Sequence, residues 1–83
     1  MPKDTHINVT VDFREWGKGS YDLRIPVHQP VKQLLRNLVE ALNLEMTKED
    51  LFTIKIPAKG ILLTDDDRLI DYPVANGDVL LVL

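Results

Sequence analysis

Asp67-Arg-Leu-Ile-Asp-Tyr-Pro-Val-Ala-Asn-Gly-Asp-Val-Leu-Leu-Val-Leu83 is the stretch whose reading decides the fold. Leu69 to Tyr72 has the look of a tight helical turn, and Asn76-Gly77-Asp78 that of a chain reversal. Val79, Leu80, Leu81, Val82 and Leu83 then form an apolar run with no polar interruption, unlike the alternating runs earlier in the chain. A strand without alternation is covered on both faces or lies inside its sheet. The expectation is a central strand, paired on both sides and formed by the last residues of the sequence.

Working outward, residues 6–13 alternate, with Ile7, Val9, Val11 and Phe13 on one face and His6, Asn8, Thr10 and Asp12 on the other. Residues 20–25 alternate again, Tyr21, Leu23 and Ile25 facing inward, after a tip at 14–19 that carries two glycines. Together they read as a β-hairpin. Pro30 suits the first position of a helix, with Gln29 as its cap. Val31, Leu34, Leu35, Leu38 and Leu42 then fall on one stripe, which predicts a helix over 30–43 stopped by Asn43. Thr47 could cap a single turn. Phe52, Ile54 and Ile56 mark a strand limited by Pro57, and Ile61-Leu-Leu63 a shorter one. Two strands, one helix and three more strands make an α+β domain over 6–83, behind a loose N-terminal segment over 1–5.

Composition narrows the function. The 83 residues suffice for one domain, and 45% hydrophobic with 28% charged residues is ordinary for a folded one. There are no cysteines, so disulfides, thiolate catalysis and cysteine-bound zinc are excluded. No apolar run approaches the ~18 residues needed to span a bilayer, and no secretory hydrophobic region opens the chain, so a cytoplasmic location is expected. A net charge of −3 argues against non-specific nucleic-acid binding.

Candidate chemistry is thin. Asp65-Asp66-Asp67 lacks the alternated ligands, glycine and bidentate glutamate of a calcium loop, and reads as a solvated turn or helix-start cluster. His6 and His28 have no companion ligand at zinc spacing, and His6 reads as a surface strand residue. Gly17-Lys18-Gly19 is not a phosphate loop, and no nucleophile–base pair can be built. No enzyme activity and no cofactor are expected.

The order of elements, and Leu69-Ile-Asp-Tyr-Pro-Val74 followed after a spacer by Val79-Leu-Leu-Val-Leu83, resemble a ubiquitin-like β-grasp domain over nearly the whole chain. More narrowly, Val9-Thr-Val-Asp-Phe13, Tyr21-Asp-Leu23, Pro30-Val-Lys32 and Asp67-Arg-Leu-Ile-Asp-Tyr72 with Asn76-Gly-Asp78 are similar to the YukD/EsaB group of ubiquitin-like proteins. These are encoded with the type VII secretion machinery of Gram-positive bacteria. The resemblance implies a mixed sheet of order 2-1-5-3-4, with the last strand parallel to the first and the helix across the inner face. Leu34, Leu35, Leu38 and Leu42 would then meet Ile7, Val9, Leu23, Ile54, Val79 and Leu81. It also implies that Tyr72 buries its ring and hydrogen-bonds backbone in the acidic turn.

In function, the resemblance implies an accessory or regulatory protein whose partners are components or substrates of type VII secretion. Ubiquitin and the β-grasp sulfur carriers act through a tail ending Gly-Gly. The sequence stops at Leu83 without one, so conjugation is not expected; a modifier or sulfur carrier with its tail missing is the alternative. What remains is surface. With Val79 and Leu81 inward, Leu80 and Val82 would face out beside Asn8, Thr10, Thr53 and Lys55. Thr10, Lys55, Leu80 and Val82 are therefore the expected docking residues. Trp16, at the hairpin tip, either covers the end of the core or adds a binding hot spot. The free edge at 20–25 would allow pairing with a second copy without requiring it.

Overall fold

The computed structural model describes residues 5–45 and 53–83. Residues 1–4, the proposed cap Thr47 and the strand residue Phe52 lie outside them. The elements are β1 (His6–Asp12), β2 (Ser20–Pro26), α1 (Val31–Ala41), β3 (Ile54–Ile56), β4 (Ile61–Leu63) and β5 (Val79–Val82). Among the described residues, three 3₁₀ turns join them, at Arg14–Trp16, Pro57–Lys59 and Leu69–Asp71. The sheet runs β2-β1-β5-β3-β4, with β5 parallel to β1 and antiparallel to β3. The final strand is central, as the unbroken apolar run implies.

Alternation works as expected in β1, where Ile7, Val9 and Val11 are buried and His6 and Asn8 exposed. The hairpin tip is more ordered than a plain loop. Its 3₁₀ turn ends on Gly17 at φ 70, a left-handed conformation that an L side chain resists.

The helix starts one residue later and ends two residues earlier than the 30–43 of the sequence reading. Pro30, not Gln29, is its cap residue and offers no side-chain bond, while Gln29 Oε1 accepts the Asn37 side-chain amide at 3.4 Å. The free N–H groups of Val31 and Lys32 instead meet the carbonyls of Asp67 and Asp65, at 2.8 and 3.0 Å. The acidic turn is thus a backbone cap on the helix start, where negative charge also complements the helix dipole. Val31, Leu34, Leu35 and Val39 are buried, while Leu38 and Leu42 are only half-buried. Val39 completes the stripe that Leu38 and Leu42 were expected to fill.

Asn43 ends the helix as its sequence position suggests. It sits at φ 54, its N–H bonds the Glu40 carbonyl, and the Leu44 N–H reaches back to Val39 at 2.9 Å. This is a Schellman cap with its apolar contact, since Leu44 packs on the core. Left-handed backbone costs an ordinary L residue about 1–2 kcal/mol. Asn43→Gly should therefore hold or slightly raise the melting temperature, and Asn43→Val should lower it by about 4–8 °C per kcal/mol lost. Equal melting of the two variants would show that this cap does not constrain the helix.

Candidate protein-docking face

The helix covers one face of the sheet and leaves the other open among the described residues. Register decides what stands there. Thr10 pairs with Asp22 on one side and Val79 on the other. One step on, Ser20, Asp12, Leu81, Lys55 and Leu62 line up across all five strands. Side chains in one such row share a face.

The register corrects the expected facing of β5. Leu80 and Val82 are fully buried, at 0% exposure, while Val79 is 44% exposed and Leu81 half-buried. Leu80 stands beside Val11, whose side chain points into the core, and Val82 beside buried Ile54. Leu80 and Val82 are thus core residues and cannot dock a partner. Val79 and Leu81 do not meet the helix. An all-apolar strand carries no phase, so only its pairing with β1 and β3 could choose between the two facings. The informative signal was β1, whose odd-numbered residues face inward.

The outer face therefore presents Val79, Leu81 and Leu62, the last 55% exposed. Lys55 is exposed between Leu81 and Leu62, as expected of an outer-face residue. Thr10 is half-buried beside Val79 and donates its hydroxyl to Asp22 Oδ1 at 2.6 Å. Trp16 is half-buried against the core, and its indole N–H is buried without a partner among the described residues.

Asp12 occupies an outer-row position yet is only 3% exposed. Arg14 folds over it, with Nε and Nη2 each 2.6 Å from Oδ2 and the Arg14 N–H 2.9 Å from Oδ1. Sequence reading placed Asp12 on the solvated side and missed this pair.

The turn before β5 is pinned to β1. Asn76 Oδ1 accepts the Asn8 N–H, the Gly77 N–H donates to the Asn8 carbonyl, and the Thr10 N–H to the Asp78 carbonyl, all at 2.8–3.0 Å. Gly77 takes φ 90 to make this approach. Asp78 Oδ2 accepts Lys59 Nζ and the Ala75 N–H, each at 2.8 Å, while Lys59 also reaches the Pro73 carbonyl.

Burial of Asp78 works against its ionisation, but the Lys59 ammonium and Ala75 N–H outweigh it and hold the carboxyl below its usual 3.8. A carboxyl with a lowered folded pKa contributes stability above its unfolded value and loses it as pH falls through the folded one. Asp78→Asn should lower stability at neutral pH and flatten the acid limb of the stability curve below about pH 4. An unchanged acid limb in urea titrations would mean that Asp78 gives nothing through its charge.

Tyr72 is half-buried against the core. Its hydroxyl pKa is raised, first by a hydrogen bond with the Asp67 carboxylate, then by burial and by the charges of Asp67 and Asp71. Asp67 Oδ2 also accepts the Thr64 N–H at 2.8 Å, which tightens that turn. Lys32 and Asp66, 3.5 Å apart and solvent-exposed, add little.

The family described as the WXG100 protein secretion system (Wss) protein YukD matches residues 6–82. A Staphylococcus aureus (strain Newman) protein described as type VII secretion system accessory factor EsaB is 42% identical over 79 residues, spanning 94% of this chain and 96% of its own. The ESX secretion system protein YukD of Bacillus subtilis (strain 168) is 26% identical over 78 residues, with 94% and 99% covered. Among solved structures, the UBL domain of Plasmodium falciparum Dsk2 aligns with a TM-score of 0.62 at 25% identity, covering 94% of this chain and 99% of that one. A ubiquitin-like domain from Arabidopsis thaliana gives a TM-score of 0.68 at 19% identity, covering 100% and 81%. The fold is the ubiquitin-like β-grasp.

Proposed function

The chain belongs to the YukD family of type VII secretion accessory factors, and from that premise we propose that it acts without catalysis, in the cytoplasm, by docking its outer sheet face on a protein of the secretion machinery. The observation that carries this reading is the cluster of Val79, Leu81 and Leu62 on the face opposite the helix, interrupted only by Lys55 along its row. Aliphatic side chains gathered in a polar frame favour a protein partner, since covering them releases water at no cost to the fold. Thr10 and Lys55 would frame the contact, with Val79, Leu81 and Leu62 as its centre.

Complementation tests this in a bacterium whose type VII system depends on its own copy of the protein. Leu62→Asp and Leu81→Asp should each cut secretion of a type VII substrate at least several-fold while the purified variants melt as the parent does. Secretion at the parental level with both variants would refute the docking face.

A further inference from the structure

β2 is an edge strand, paired with β1 on one side and with none of the described residues on the other. The ladder fixes which of its backbone groups are free. The Phe13 N–H bonds the Gly19 carbonyl at 2.8 Å and the Val27 N–H bonds the Thr5 carbonyl at 3.0 Å, both in the register of the β1–β2 pairs. Bonded and unbonded pairs alternate in an antiparallel ladder. Tyr21, Leu23 and Ile25 therefore aim their N–H and C=O groups at β1, while Ser20, Asp22 and Arg24 aim theirs outward, as Pro26 does its carbonyl, having no N–H to offer. Asp22 and Arg24 each present a free donor and a free acceptor on that edge.

The side chains of the edge are complementary to themselves. Asp22 and Arg24 flank Leu23 on the outer face, and both are exposed. Arg24 has no side-chain partner among the described residues, and Asp22 accepts only the Thr10 hydroxyl, on one oxygen. A second copy running antiparallel about a two-fold axis at Leu23 sets Asp22 of each chain opposite Arg24 of the other. Each of these two pairs can exchange both main-chain hydrogen bonds as well as its charges. Leu23 then meets its own image as an unbonded pair, the position where side chains approach most closely.

Registers centred on Asp22 or on Arg24 also pair outward-facing backbone groups, although the second sets Asp22 against Pro26, which cannot donate, and both put like charges face to face. Opposite charges across a strand pair stabilise it and like charges weaken it, so charge selects the register centred on Leu23. Half-buried Tyr21 and Leu23, at the rim of the core, gain cover in the same step.

We infer that β2 is a self-complementary edge through which two copies of this chain pair antiparallel about Leu23, joining their five-stranded sheets into one. The pairing uses the edge rather than the outer face, so it is independent of the docking reading, and it sets two outer faces side by side. A single strand pair covers far less than the ~1,200–2,000 Å² of a standard interface, so the association is weak and depends on concentration.

Sedimentation equilibrium from about 10 μM to about 1 mM brackets weak association. The parent protein should move from monomer to dimer across it. Asp22→Lys alone and Arg24→Glu alone should each weaken the dimer about tenfold or more. An equimolar mixture of the two variants should form heterodimers at the parental concentration. Both substitutions are at exposed positions, and unchanged melting verifies the fold. Unbonded pairs hold their Cα atoms ~4.5 Å apart, within disulfide reach. In this cysteine-free chain, Leu23→Cys should therefore cross-link under mild oxidant much faster than Lys55→Cys. A parent that stays monomeric to 1 mM, a mixture that does not associate, or equal cross-linking rates would each overturn the inference, including the case in which only a foreign strand occupies this edge.

Discussion

Leu80→Asp is expected to unfold the protein, and Leu81→Asp, one residue on, to leave it folded. Leu80 is fully buried in the middle of the central strand, beside Val11. Leu81 is only half-buried and shares its row with exposed Lys55. Truncating a buried leucine to alanine already costs about 2–5 kcal/mol, through lost burial and the cavity left behind. A carboxylate at the same position adds the desolvation of an unpaired charge. An 83-residue domain holds a total stability of only about 4–12 kcal/mol, so the aspartate variant should have no folded baseline at 25 °C. Leu80→Ala, the milder change, should shift the urea midpoint without altering the slope. Cooperative unfolding of Leu80→Asp near the parental midpoint would mean that β5 faces the other way.

Arg14→Ala is the second large effect expected, out of proportion to a side chain that is 72% exposed. The cost lies in what the guanidinium covers. The Asp12 side chain is 4% exposed, and Arg14 supplies its cation and two of its hydrogen bonds, one from Nε and one from the main chain. Removing one member of a buried pair costs about 3–5 kcal/mol because the other charge is left without compensation. Here water can reach the vacated side, so about 2 kcal/mol is the better expectation, in the range for hydrogen bonds to charged groups. Arg14→Lys should recover part of it, since an ammonium restores the charge but not the fork. An Arg14→Ala midpoint indistinguishable from the parent would show that Asp12 is satisfied by its backbone bond alone.

These two expectations mark where local pattern stopped being informative. Alternation in β1 and β2 named the core face of the hairpin, because polar and apolar residues there report the side they face. Asp12 breaks that rule, since a residue two positions along the chain supplies the partner that makes its burial tolerable. In β5 the rule has no content, as Val79 and Leu80 are equally at home in a core. The expected patch thus named two β5 residues that face the core, and Leu62, read only as part of a short strand but exposed on the face opposite the helix, was absent from it.

The order of elements, the central place of the last strand, the helix with its stop at Asn43 and the family resemblance were all written in the linear chain. Each rests on chemistry between near neighbours: spacing along a helix, a left-handed stop, a run of aliphatic side chains. Which β5 side chains point outward, how the acidic turn caps α1, and the meeting of Asp22, Thr10 and Val79 in one row were settled only by tertiary pairing. Those contacts join residues dozens of positions apart, and a shift of one residue in register exchanges the two faces of a strand.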